Sequence, residues 1–374
     1  MAMQFIPYGR QTIDDDDIAA VVAVLKSDWL TTGPAVAQFE EDVCRYTGAN
    51  YGIAVSSGTA ALHCAMFALG IGKGDEVIVP PMTFAATSNC VLYQGGTPVF
   101  ADVDAGTLLI DPQAVEAAIT PRTKAIVAVD YAGQPCDWDA LRAIANKHHL
   151  ALVADGCHAL GAKYKGRSVG TLADITVFSF HPVKHITTGE GGMAVTNNAA
   201  LAQKMRNFRG HGITTTAAER EKMGGWFYEM TELGYNYRIT DFQCALGSSQ
   251  LKKLDGWIAK RNTLAQEYDV FFSAHPEKNI RPLVQKADML NAYHLYVVRH
   301  PQRDAAFKYL REQGIGANVH YVPVHLHPYY KEHLGTKEGM CPVAEAAYKE
   351  LLTLPLWVGM GLSPVKYICK ILQS

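Results

Sequence analysis

Lys184 stands in DITVFSFHPVKHITTGEGG, residues 174–192, shortly after Ser179, and the turn-forming GEGG follows it. An apolar strand that ends in serine and runs into such a turn puts a hydroxyl and an amine on one tight loop. Partial burial lowers a lysine's pKa and frees its nucleophilic amine, so the chemistry on offer is Schiff-base formation with a carbonyl. The competing reading is a surface lysine on a loop; FSFHP before it and TTGEGG after it weigh against that. His181 and His185 read as loop structure or support around the amine.

Three other segments carry chemistry-bearing side chains. In LALVADGCHALGA, residues 150–162, Asp155 closes an apolar run. Open α/β sheets bind ligands at the carboxyl ends of their strands, which would aim this carboxylate into a site; a turn residue is the equal alternative. His158, three residues on, could donate to a ring oxygen or be an ordinary satisfied polar group. In SSGTAALHCA, residues 56–65, small residues end a strand and begin a helix. Free N–H groups of Gly58 and Thr59, the hydroxyls of Ser57 and Thr59 and the helix dipole would cradle a phosphate, or simply cap a helix. Finally, VHYVPVHLHPYY, residues 319–330, crowds His320, His325 and His327, but no cysteine or carboxylate pattern completes a ligand set, and no metal is expected.

The elements that must position these groups are legible as a pattern. From residue 51 to about 197, short β-branched runs alternate with stretches of helical spacing: YGIAV then GTAALHCAMFALG, DEVIVP then FAATSNCVLY, KAIVAVD then DWDALRAIANKHH, then LALVAD. The alternation predicts an α/β fold with a mainly parallel sheet between helices. DITVFSF and GGMAVTN add two strands, the second a candidate antiparallel one. Beyond residue 198 the pattern turns helical, with a polar loop around 214–225 and a long periodic run over 240–274. NAYHLYVVRH, RDAAFKYLREQG and IGANVHYV then predict strand, helix and strand. The organisation expected is a large domain over 1–250 and a smaller C-terminal α/β domain over 251–374.

Composition bounds the rest. With 374 residues and 48% hydrophobic content the chain can bury a large core. Lysine plus arginine, 34, nearly balances aspartate plus glutamate, 36, so no net field steers it to nucleic acid or an anionic membrane. The eight cysteines are scattered without CxxC pairs, and no basic leader or long apolar span is present; a reducing cytoplasm is the expected location.

Taken in order, SGTAAL, DGCHALGA and FSFHPVKHITTGEGG resemble the fold-type-I, pyridoxal-phosphate-dependent sugar aminotransferases of the DegT/DnrJ family. The likeness covers nearly the whole chain, with LTTGP at 30–34, PPMTFAAT at 80–87 and LGYNYRITDFQCALG at 233–247 in the expected order. The resemblance implies that Lys184 carries pyridoxal 5′-phosphate covalently and shuttles a proton, and that Asp155 keeps the pyridine nitrogen protonated. It implies that Phe84 stacks over the ring, that Cys157 packs on the other face where relatives carry alanine, and that His158 bonds the ring hydroxyl. Ser57, Gly58, Thr59 and Ser179 match phosphate positions, and Asn236 matches an asparagine that reaches the phosphate from a neighbouring subunit, implying a homodimer with its active sites at the interface. Thr31, Arg238, His320 and Tyr321 would meet the substrate, Arg238 alternatively supporting the subunit interface.

PYGRQTIDDDDIAAV, SDWLTTGP and LPLW extend the likeness to enzymes acting on UDP-linked 4-keto-6-deoxy-N-acetylhexosamines, of the kind used to make pseudaminic acid, with L-glutamate as donor. GDP- and dTDP-linked keto-sugars are the competing substrates. A pyridoxal-dependent sugar dehydratase of the same fold would carry histidine in place of Lys184, and a non-catalytic relative would have lost Asp155, Ser179 and Lys184.

Overall fold

The computed structural model describes residues 5–215 and 217–373. Its strands are β1 (Tyr51–Val55), β2 (Glu76–Val79), β3 (Thr97–Phe100), β4 (Thr123–Val129), β5 (Ala151–Asp155), β6 (Lys163–Tyr164), β7 (Arg167–Ser168), β8 (Ile175–Ser179), β9 (Gly192–Thr196), β10 (Arg281–Pro282), β11 (Met289–Leu290), β12 (Tyr296–Arg299) and β13 (Leu351–Leu354). Among the described residues seven of these form the main sheet, in the order β1-β9-β8-β5-β4-β2-β3. Strands β8, β5, β4, β2 and β3 pair in parallel, whereas β9 runs antiparallel to both β8 and β1, as the GGMAVTN segment suggested.

Both faces of this sheet are covered, and strand periodicity explains how. Alternate side chains of a strand point to opposite faces. Val153, Ile175, Val177, Val127 and Ala194 pack into one core with residues of the helices Gly58–Ala68 and Ala86–Tyr93. Leu152, Ala154, Phe178, Met193 and Ile126 pack into the other, with Trp138 and Leu141 of the helix Trp138–His148. A strand buried on both faces must be apolar throughout, which is why YGIAV and LALVA are continuous rather than alternating runs.

Parity also aims the functional groups. Asp155 follows Val153 by two residues and Ser179 follows Val177 by two, so both face the layer that holds Gly58–Ala68, at the carboxyl ends of adjacent parallel strands. A third core gathers Leu264, Tyr268, Tyr296, Val298, Leu352 and Ile368 around the three-stranded sheet β10-β12-β13.

Several local expectations are corrected. The run over 240–274 is two helices, Asp241–Leu251 and Leu254–Ala274. IGANVHYV is not a strand: it forms only isolated bridges, Ile6 to Ile315 and Asn318 to Thr353, and the sheet's edge is supplied instead by β13. The polar loop around 214–225 contains a short helix, Ala217–Lys222. The edge strand β3, TPVF, and the helix Pro112–Ala117 were not anticipated; both are too short to show a period.

Candidate functional site

A cavity of about 420 Å³ opens where β5 and β8 end. It is lined by Ser57, Gly58, Thr59, Phe84, Asp155, Cys157, His158, Ser179, Lys184, His320 and Tyr321, which sequence had singled out, and by Tyr8, Thr83, Thr87, Val183, Glu190 and His294, which it had not. Segments separated by more than two hundred residues therefore meet in one place.

Its floor is the first turn of the helix Gly58–Ala68. Ser57 caps this helix, its Oγ accepting from Ala60 N–H at 3.1 Å, while the N–H groups of Gly58 and Thr59 have no protein acceptor among the described residues. A Cβ at Gly58 would come within 3.0 Å of Ser179 Cβ and 3.1 Å of Cys157 Sγ, so only glycine leaves this corner open. Behind it, a Cβ at Gly192 would lie 2.4 Å from the Ser57 carbonyl; β9 presses directly on the cap. Free N–H groups at a helix start beside the Ser179 hydroxyl make a ready anion cradle.

Asp155 is 5% exposed, yet fully partnered. Its Oδ2 accepts from Thr87 Oγ1 at 2.7 Å, Thr87 in turn sharing a 2.8 Å bond with Thr83, and its Oδ1 accepts from Cys157 N–H at 3.2 Å. Burial, reinforced by the Asp155 charge, pushes the Cys157 thiol well above its usual range, so this side chain is a small neutral packing group. His158 accepts from Ala132 N–H through Nδ1 at 3.3 Å and therefore carries its proton on Nε2, 3.1 Å from Tyr321 Oη. Burial holds His158 well below the usual histidine range and keeps it neutral.

Lys184 reaches the same cavity from the loop after β8, and its amine is 3.3 Å from His294 Nε2. Burial lowers its pKa, against the opposing influence of the Asp155 charge. Phe84 is 61% exposed over the cavity mouth, its ring 6.2 Å from that of Tyr321. His320 is held from β13, its Nδ1 bonding Thr353 Oγ1 at 2.9 Å. The other two histidines of that segment go elsewhere: His325 bonds Glu345 at 2.8 Å, and His327 precedes the helix Pro328–Leu334. Among the described residues no cluster of three histidine, cysteine or acidic side chains is arranged to hold a metal.

Three expected site residues lie outside this cavity. Thr31 is exposed and bridges Thr240; Arg238 is exposed; Asn236 is exposed and bridges Gly210. Asn236 is nonetheless next to Tyr237, whose carbonyl accepts from Ser56 N–H at 2.8 Å at the rim of the cradle. Of the residues missed, Thr87 stood within PPMTFAAT without any local mark of its role, whereas His294, a lone polar residue inside the apolar NAYHLYVV, did carry a signal.

Comparison with known proteins places the chain in a family. The model of the DegT/DnrJ/EryC1/StrS aminotransferase family matches residues 11–373. The spore coat polysaccharide biosynthesis protein SpsC of Bacillus subtilis is 43% identical over 365 residues, covering 96% of this chain and 93% of that protein. A candidate sugar aminotransferase from Streptococcus pneumoniae, solved in PMP and PLP forms, superposes with TM-scores of 0.93 and 0.92 at 33% identity, the PMP form covering 98% of each chain. Helicobacter pylori PseC, an aminotransferase involved in the biosynthesis of pseudaminic acid, gives a TM-score of 0.92 at 34% identity, covering 99% of this chain and 98% of that one.

Proposed function

The chain belongs to the DegT/DnrJ/EryC1/StrS aminotransferase family, is a pyridoxal-phosphate-dependent sugar aminotransferase of fold type I, and, we propose, moves the amino group of L-glutamate onto the C4 ketone of a UDP-linked 4-keto-6-deoxy-N-acetylhexosamine. The observation that carries the catalytic part is the meeting of an amine, a buried carboxylate and an open helix start in one cavity at the carboxyl edge of the sheet. Similarity to PseC, together with the sequence segments noted above, supports the substrate part.

The donor set fits a phosphorylated pyridine aldehyde. The corner kept free by Gly58 suits a phosphate, the Asp155 carboxylate suits a cationic ring nitrogen, and the amine suits the aldehyde. When bound, pyridoxal phosphate supplies a carbonyl carbon for the lysine and a ring that takes up electron density from the substrate carbon.

Every other task falls to side chains and backbone N–H groups of the chain. Lys184 holds the cofactor through Nζ and, once displaced by the incoming amine, carries a proton at that atom to and from the substrate carbon. Asp155, fixed by Thr87 and the Cys157 N–H, presents its charge to the ring nitrogen. Gly58, Thr59 and Ser179, with the Ser57 cap behind them, receive the phosphate. Phe84 and Cys157 bracket the ring, and the Nε2–H of His158, which meets Tyr321 Oη, is the donor available to the ring hydroxyl.

His320 and Tyr321, at the cavity wall, meet the sugar nucleotide. Thr31, Asn236 and Arg238 act in the site of a second copy of the chain, which their exposure on the surface of their own chain permits. The same reading takes residues 1–250 as the cofactor-binding domain and 251–374 as the smaller domain.

The test is a panel of UDP-, GDP- and dTDP-linked 4-keto-6-deoxy sugars incubated with purified protein and nitrogen-labelled L-glutamate. The label should appear at C4 of the UDP-linked N-acetylhexosamine. Amination of only the GDP- or dTDP-linked sugars would overturn the substrate assignment, and amination of none would overturn the activity.

A further inference from the structure

His294 has no part in the roles above, yet it is built into the site from two sides. Its segment is clamped to the loop after β4 by Ala292 N–H to Gly133 O at 3.0 Å and Leu295 N–H to Ala132 O at 3.2 Å. Gly133 has φ 109°, and a Cβ there would lie 2.6 Å from Tyr293 N and 2.9 Å from His294 N, so the approach depends on glycine. The imidazole is 5% exposed and packs 4.3 Å from the His158 ring. Its Nε2 is 3.3 Å from Lys184 Nζ, and its Nδ1 is buried without a partner among the described residues.

The unpartnered nitrogen fixes the direction of that contact. A neutral imidazole carries one N–H, and a buried N–H without an acceptor is rarer than a buried acceptor without a donor. The proton therefore sits on Nε2, which donates the hydrogen bond, and the Lys184 lone pair accepts that bond. A lysine that accepts a hydrogen bond is a free amine. Burial acts in the same direction, lowering the pKa of both groups.

We propose that His294 is the positioning residue of Lys184, donating from Nε2 to the Nζ lone pair and so holding the amine in its neutral form; that hydrogen bond is released when the lone pair turns to an incoming carbonyl carbon. This rests on the role given to Lys184 above and extends it to a partner. The other groups that face the amine are Asp155, which favours its protonation, the neutral Cys157 thiol, and His158, His185, His320 and Arg261, which interact electrostatically with Lys184 or with His294.

The experiment needs neither sugar nor cofactor, so its outcome is separable from the amination assay. Full-length protein stripped of cofactor is treated with propanal and cyanoborohydride across a pH series, and modification of each lysine is read by peptide mass mapping. Nζ adds to the aldehyde carbon, water leaves, and hydride from the cyanoborohydride reduces the resulting C=N bond. Lys184 should react with a pH midpoint below that of surface lysines. In His294→Leu the midpoint should rise by about one unit, which is about a tenfold loss of free amine near neutrality, and His294→Gln, which keeps an N–H donor, should largely restore it. Should the leucine variant fail to fold, His294→Asn, too short to reach Nζ, takes its place. An unchanged midpoint in the folded leucine or asparagine variant, or a glutamine variant as impaired as either, would overturn the proposal.

Discussion

Asp130 and Asp155 each close an apolar strand run, KAIVAVD and LALVAD, and they stand side by side, with Asp130 N–H donating to the Asp155 carbonyl at 3.2 Å. Both are nearly or fully buried. Their surroundings separate them. Asp155 lines the cavity and has both oxygens partnered, by the Thr87 hydroxyl and the Cys157 N–H. Asp130 is sealed: Oδ1 accepts from Cys136 N–H at 2.8 Å and Trp138 Nε1–H at 3.1 Å, while Oδ2 has no partner among the described residues. Burial pushes the Asp130 carboxyl up to about 7, the two hydrogen bonds pulling the other way. One carboxylate is thus held ready for a ligand's cation, and its neighbour is a latch for the loop 130–138. What distinguishes them is the opposite wall, a helix start with two threonines for one and a tryptophan for the other.

The contrast can be broken most sharply by neutralising each in turn. Asp155→Asn should reduce turnover by roughly a hundred- to a thousandfold in a steady-state amination assay, whereas Asp130→Asn should leave it within a few fold. Equal losses would erase the distinction. Next in size, Gly58→Ala puts a methyl into the corner between Ser179 and Cys157. Spectroscopic titration should show cofactor affinity reduced by about tenfold or more, with Lys184 still open to modification in the stripped protein.

A third test uses pH. Because the folded-state pKa of Asp130 is raised, its contribution is intact below the ordinary carboxylate range and is lost as pH rises through about 7. Between pH 4 and 8, Asp130→Asn should therefore gain on the wild type by about 1–3 kcal/mol in denaturant titrations. A constant difference across that range would contradict the account of a sealed carboxyl. The smallest effect is expected from Thr87→Val, which removes one hydrogen bond from Asp155 while keeping its volume. Turnover should fall by about three- to tenfold with little change in melting temperature.

The same pair marks how far the sequence could be read. The alternation of β-branched runs with helical stretches announced the mainly parallel sheet and put Asp155 at a strand's carboxyl end, whereas its sharing a face with Ser179 follows from strand parity once the pairing of β5 with β8 is known. Lys184 and the Gly58 turn were legible for a related reason: each belongs to a local motif whose geometry is set by its own neighbours. Nothing local separated LALVAD from KAIVAVD, since the deciding contacts, Thr87 for one and Trp138 for the other, come from other elements. His294 stood out as a polar residue in an apolar run, but its place beside Lys184 was not legible, because Gly133, far away in the chain, sets it. IGANVHYV had strand composition but found its hydrogen bonds in isolated bridges to Ile6 and Thr353, while LLTL took the sheet position. The break between Asp241–Leu251 and Leu254–Ala274 left no glycine or proline to betray it.

Every role proposed for the site depends on which amine bonds the cofactor. Purified protein loaded with pyridoxal phosphate, reduced with borohydride and digested, should yield the cofactor's added mass on the peptide containing Lys184 and on no other, and a Lys184→Ala variant should yield none. Cofactor found on a different lysine, or retained covalently by the alanine variant, would contradict those roles.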